Sequence, residues 1–206
     1  MLRPANDITL VILAGGRASR MGGEAKGLIE IAGKPMIRYI IDRFSDQCQQ
    51  LVINANENLL YYEQLGYPVI RDSMPGYQGP LAGMLSGMQY AKTQFVLFVP
   101  CDAPNLPDEL PERLLTAIQD KIDISVAGLG TRMQPVIALC RTSLVQSLED
   151  ALKKGVRKTG EWIASQSHVI VDFSDRQSDF DNINTMEELN SLQTTLKNDR
   201  KRSDRK

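Results

Sequence analysis

A group of cations follows closely on a glycine pair near the start of the chain. Leu10-Val11-Ile12-Leu13-Ala14-Gly15-Gly16 is succeeded by Arg17, Arg20 and Lys26. Glycines let backbone N–H groups come close to a phosphate, and the three side chains set positive charge beside those donors. A tight turn with solvated basic residues is the plainer alternative. The stretch has neither the G-x-x-x-x-G-K-S/T nor the G-x-G-x-x-G spacing, which sets aside the two common phosphate loops.

Three more polar residues close apolar runs further along. Asp102 ends Phe95-Val96-Leu97-Phe98-Val99-Pro100-Cys101, Asn54 ends Leu51-Val52-Ile53, and Asp72 ends Pro68-Val69-Ile70-Arg71. Ligands gather at the carboxyl ends of strands in open parallel sheets, so Asn54 and Asp72 fall near the opening turn if the sheet is parallel. Asp102 stands on a rigid strand end, where a hard cation finds an oxygen ligand. Mg²⁺ takes about one or two protein carboxylates and completes its octahedron with water and phosphate oxygens, so one Asp suffices. The combination points to nucleoside triphosphate chemistry, with metal and cations stabilising charge that spreads onto a departing pyrophosphate. His168 is the only histidine, and it precedes Val169-Ile170-Val171 as a strand edge would. A phosphomonoester, with a second pKa of about 6, is already largely dianionic at neutral pH, whereas a hydroxyl needs a base. The expected nucleophile is therefore itself a phosphate.

Elements that could position these groups alternate along the chain. The run before Gly15 reads as a strand covered on both faces, residues 27–32 as a short apolar segment, and Pro35 as the first residue of a helix carrying Met36, Ile37, Ile40, Ile41 and Phe44. Strands are expected at 51–54, 68–72, 95–102, 124–127, 136–140 and 168–173, with Arg132-Met133-Gln134-Pro135 as a turn. Helices are expected at 58–65, 80–91, 108–119, 143–154 and 159–165, and a T-x-x-E capping box at Thr185 and Glu188 starts another. Gly79, Gly83 and Gly87 put small residues on one helical face, where a backbone or ligand can come close. Lys153, Lys154, Arg157 and Lys158 surround Gly155 and suit a helix C-terminus, with a substrate-facing patch as the alternative.

Composition is that of an ordinary globular chain, with 42% hydrophobic and 24% charged residues. At 206 residues one domain with one substantial core is expected, spanning 1–196. No apolar stretch approaches the roughly 20 residues of a membrane helix, and no signal pattern opens the chain, so a cytoplasmic protein without a membrane partner is expected. Cys48, Cys101 and Cys140 lack C-x-x-C spacing and read as small core residues. Residues 197–206 hold six Lys/Arg against two Asp, a net of +4 that leaves −5 on the rest. That apolar-free segment reads as a disordered tail, and with no basic face elsewhere a nucleic-acid partner is not expected.

Taken together, L-A-G-G-x-x-x-R-M-G-G followed by Lys26, G-P-L-A-G at 79–83, P-C-D at 100–102 and N-I-N-T at 182–185 resemble the bacterial molybdenum cofactor guanylyltransferase family. The resemblance extends over about residues 8–196 and implies an α/β, single-domain, three-layer Rossmann-like nucleotidyltransferase fold with a mostly parallel central sheet. It implies transfer of GMP from GTP to the terminal phosphate of molybdenum-bound molybdopterin, with Mg²⁺ as cofactor and pyrophosphate as by-product. Leu13, Ala14 and Gly15 would bind the nucleotide through backbone, joined by Lys26, Asn54, Asp72, Asp102 and, at the guanine edge, Gly79 in the 79–83 loop. Arg20, Lys26 and Asp102 would be catalytic, Asp102 would hold the metal, and Asn182 and Asn184 would meet the second substrate. The implied protein is a monomer that passes its product to cofactor-insertion proteins or molybdoenzymes. The sequence departs from the family at Ala25, where Asp is usual before the lysine, and at Met186, where Pro is common. A cytidylyltransferase on the same pterin, a sugar-phosphate nucleotidyltransferase and a non-catalytic nucleotide-binding maturation partner stay open as alternatives.

Overall fold

Apolar runs and helical periodicities alternate along the sequence, and each finds its place in a layered α/β arrangement. The computed structural model describes residues 7–15, 25–74, 76, 79–183 and 188. The chain runs β1 (Ile8–Leu13), β2 (Glu30–Ile31), β3 (Lys34–Pro35), α1 (Met36–Phe44), β4 (Gln50–Asn54), α2 (Leu59–Glu63) and β5 (Val69–Ile70). It continues with α3 (Pro80–Tyr90), β6 (Phe95–Pro100), α4 (Leu110–Ala117), β7 (Ile124–Leu129), β8 (Arg132–Arg141), α5 (Val145–Lys153), α6 (Thr159–Ala164) and β9 (His168–Asp172). Seven strands form one sheet in the order β5-β4-β1-β6-β8-β7-β9. All neighbours are parallel except β8, which runs antiparallel to both β6 and β7. β2 and β3 form a separate small hairpin.

The side-chain alternation of the central strands divides the core in two. Ile8, Leu10 and Ile12 of β1 and Phe95, Leu97 and Val99 of β6 face α1 and α4, whose Ile37, Ile40, Ile41, Phe44, Leu110 and Leu114 are buried against them. Val11, Val96 and Phe98 face the other way, onto Leu81, Met84, Leu85 and Met88 of α3, Leu148 and Leu152 of α5, and Trp162 of α6. A strand buried on both faces has no polar face, which is why these runs are continuously apolar. Three layers follow directly.

Several expected boundaries shift. Arg132 to Pro135 belong to β8, and the turn before them lies at Gly130 and Thr131. The β7–β8 register jumps between Val126 and Gly128, and Pro135, which has no N–H to donate, falls in that irregular stretch. Pro35 closes β3 and precedes the first helical residue Met36, so it caps α1 from outside. The short segment expected at 27–32 is divided between a 3₁₀ turn, Lys26–Leu28, and β2. β5 shrinks to Val69–Ile70, leaving Asp72 beyond the ladder. Cys101 and Cys140 are buried as expected, while Cys48 is only half-buried. The capping box at Thr185, the tail at 197–206, Arg17, Arg20 and Asn184 lie outside the described residues.

Candidate functional site

Register brings the carboxyl ends of three strands level. Leu13 pairs with Asn54 on one side and Pro100 on the other. Pairing continues one residue further, where the Ala14 N–H donates to the Asn54 carbonyl at 2.8 Å and the Cys101 N–H to the Leu13 carbonyl at 3.1 Å. Chain order reverses across β1, since β4 follows it on one side and β6 on the other. That switch point is where open α/β sheets bind ligands.

Lys26 returns to this edge at the head of the 3₁₀ turn, and its Nζ donates to Asp102 Oδ2 at 3.1 Å. The two side chains keep 25% and 16% of their surface, so a ligand can reach both. Gly27 makes the approach feasible, because a Cβ there would stand 3.0 Å from the Tyr62 hydroxyl and 3.3 Å from Cys101 Cβ. Burial, aided by the charge of Asp102, pushes the Cys101 thiol up to about 12, so it is no nucleophile at neutral pH. Burial likewise raises the Tyr62 hydroxyl, which has no hydrogen-bond partner among the described residues.

On the β4 side, Asn54 is only 2% exposed and donates through Nδ2 to Asp72 Oδ1 at 3.0 Å. Asn56 donates to Asp72 Oδ2 at 2.9 Å and accepts the Asp72 backbone N–H at 3.0 Å. Gly15 lies against this pair, and a Cβ on it would stand 3.1 Å from Asn56 Nδ2 and 3.3 Å from Asn54 Oδ1. Gly79 caps α3 with φ at +73°, a region that favours glycine, and Pro80 opens the helix. The expected 79–83 loop is therefore a cap followed by the first helical turn. On the β6 side, the Ile183 N–H donates to the Asp102 carbonyl at 2.9 Å, and Ile183 is buried with Ile31 and Met36. Asn182, which precedes Ile183, is thereby held close to Asp102. An ammonium beside a carboxylate, Gly15 past the end of β1 and the first turn of α3 thus gather at one sheet edge, an arrangement able to take a polyanion.

A family model described as MobA-like NTP transferase domain matches residues 10–169, the span that builds this edge. The chain belongs to the MobA-like NTP transferase family. A molybdenum cofactor guanylyltransferase of Shewanella putrefaciens is 48% identical over 182 residues, covering 88% of this chain and 93% of the relative. One from Shewanella woodyi is 47% identical over 186 residues, covering 90% and 95%. Molybdopterin-guanine dinucleotide biosynthesis protein A from Archaeoglobus fulgidus superposes with a TM-score of 0.77 at 20% identity, covering 92% of this chain and 99% of that one, and shares its fold. This MobA-like chain is thus a nucleotidyltransferase, with the mostly parallel three-layer fold expected of one.

Of the residues singled out in the sequence of this MobA-like chain, Leu13, Ala14, Gly15, Lys26, Asn54, Asp72 and Asp102 converge on the edge, and Asn182 adjoins it. Two of the basic residues around Gly155 serve the end of α5: Lys153 pairs with Glu149 at 2.7 Å, and Arg157 donates to the Leu152 carbonyl at 2.8 Å and the Val156 carbonyl at 2.9 Å. Within α3, Gly83 and Gly87 let the sheet come close. A Cβ on Gly83 would stand 2.2 Å from Asn54 Oδ1, and one on Gly87 2.8 Å from Val11 Cγ2. Asn56 escaped sequence reasoning, although the N-x-N spacing with Asn54 was a usable signal. Two residues apart at a strand end, such side chains share a side.

Proposed function

We propose that this chain transfers GMP from GTP to the terminal phosphate of molybdenum-bound molybdopterin, releasing pyrophosphate. The observation that carries this reading is the Lys26–Asp102 pair at the carboxyl ends of β1 and β6, in a chain 48% identical to a molybdenum cofactor guanylyltransferase. Leu13, Ala14 and Gly15 offer backbone to the nucleotide, Asn54 and Asp72 hold it from neighbouring strand ends, and Gly79 meets the guanine edge. Lys26 and Arg20 offset phosphate charge. Asn182 and Asn184 hold the second substrate. A terminal phosphate oxygen attacks the α-phosphorus, a P–O bond forms, and the bond to the β-phosphate oxygen breaks with its electron pair leaving on pyrophosphate. No side chain need remove a proton, because the attacking phosphate monoester is already largely ionised.

Mg²⁺ fits the residues present. Among the described residues no three His, Cys, Asp or Glu side chains gather into a metal cage, but Mg²⁺ needs only about one or two protein carboxylates beside phosphate oxygens. Asp102 would hold it through its partly exposed carboxylate. When bound, the ion supplies positive charge that stabilises the oxygens of the departing pyrophosphate. A monomeric, cytoplasmic enzyme that hands its product to cofactor-insertion proteins or molybdoenzymes completes the reading.

The test is pyrophosphate release from each of the four nucleoside triphosphates with Mg²⁺ and molybdenum-bound molybdopterin, with mass spectrometry of the pterin product. GTP is expected to be preferred, giving a guanylylated pterin. Preference for CTP, or full activity in Asp102→Ala, overturns the proposal.

A further inference from the structure

Asp72 stands beyond the two-residue strand β5, where the backbone ladder no longer fixes it. The last rung runs from the Ala55 N–H to the Ile70 carbonyl at 2.9 Å. Past that rung the side chain of Asn56 takes over the pairing. Its carboxamide oxygen accepts the Asp72 N–H at 3.0 Å and its Nδ2 donates to Asp72 Oδ2 at 2.9 Å, a closed two-bond ring that fixes main chain and side chain together. Asn54 reaches Oδ1 of the same carboxylate at 3.0 Å, so each oxygen has one amide donor. A carboxylate offers roughly four acceptor positions, and two remain for a ligand's donors. On its other side the Nδ2 of Asn56 borders Gly15, where a Cβ would stand 3.1 Å away. One carboxamide therefore lies between Gly15 and the strand-end carboxylate. Ser73 supplies a second anchor, its N–H donating to Ser86 Oγ of α3 at 2.8 Å, but this holds the backbone and leaves the carboxylate free to rotate.

We propose that Asn56 is a positioning residue for nucleotide binding, orienting the Asp72 carboxylate without touching the reacting atoms. The proposal rests on the reading in which Asp72 and Gly15 hold GTP. An oriented acceptor strengthens ground-state and transition-state binding alike, so its loss raises KM and leaves kcat nearly unchanged.

The experiment measures KM and kcat for GTP, with Mg²⁺ and molybdenum-bound molybdopterin, in wild type, Asn56→Ala, Asp72→Ala and the double variant, alongside urea unfolding. Asn56→Ala is expected to raise KM about tenfold, the scale of one or two lost hydrogen bonds, with kcat within about twofold. The double variant is expected to match Asp72→Ala, because Asn56 acts through that carboxylate. Asn56→Asp keeps the shape but replaces the donor with an acceptor facing another carboxylate, and is expected to raise KM more than Asn56→Ala. This near-isosteric variant decides the matter should Asn56→Ala fail to fold. Losses that multiply in the double variant, a wild-type KM in Asn56→Ala or Asn56→Asp, or an unchanged KM in Asp72→Ala overturn the proposal. A wild-type chain that takes no GTP overturns the functional reading instead.

Discussion

Lys26 and Asp102 face each other at 3.1 Å with both side chains partly exposed. An ion pair in that setting contributes only about 0–1 kcal/mol to stability, so its value lies in the charges it keeps at the edge. Lys26→Ala is accordingly expected to lower kcat by about 10²–10³-fold, as loss of one charge-stabilising donor does, while the urea midpoint stays put. A pyrophosphate-release assay beside a denaturation curve checks both halves. Tyr62 behaves in the opposite sense. Its hydroxyl is buried against Gly27 without a partner among the described residues, and an unsatisfied buried hydroxyl costs about 1–3 kcal/mol. Tyr62→Phe keeps the ring and removes that cost, so it is expected to stabilise the fold by about 1 kcal/mol. A lower urea midpoint in this variant contradicts the assignment.

Elements matter here through how closely they approach. α3 lies on the sheet through Gly83 and Gly87, and the position a Cβ would take on Gly83 is filled by the Asn54 carboxamide at 2.2 Å. Asn54 cannot swing aside cheaply, because it is buried and donates to Asp72. Gly83→Ala is therefore expected to destabilise by about 1–3 kcal/mol through overpacking, and to raise the KM for GTP because the displaced carboxamide releases Asp72. Equilibrium unfolding and steady-state kinetics on the same preparation test the two effects, and an unchanged midpoint contradicts the packing argument. The small hairpin of β2 and β3 has a comparable part on the other side. Ile31 packs with Ile183, whose N–H reaches the Asp102 carbonyl, so a two-stranded ribbon helps seat the segment that carries Asn182.

At the scale of the whole molecule, the expected division into a nucleotidyltransferase domain and a basic tail gives a direct test. Removing residues 197–206 is expected to leave pyrophosphate release and the unfolding midpoint unchanged, since the segment has no apolar residue to bury. A fall in either measurement assigns the tail a role in catalysis or folding. The layered fold was legible because the cores of β1 and β6 are continuous apolar runs and α1, α4 and α5 each bury one face at a 3.6-residue period, both direct consequences of burial. The β8 start was not, because Gln134 and Pro135 read as a turn and only pairing with β7 shows the irregular register that accommodates them. By itself the sequence determined the residue types that can grip a triphosphate: a glycine turn, a lysine after it, and polar residues closing apolar runs. Local composition and chain order suffice for that. Which of these residues meet was decided by the tertiary structure alone, because parallel strands pair residues far apart in sequence. Lys26 reaches Asp102 only once β1 and β6 lie side by side, and Asn56 locks Asp72 only once β4 pairs with β5.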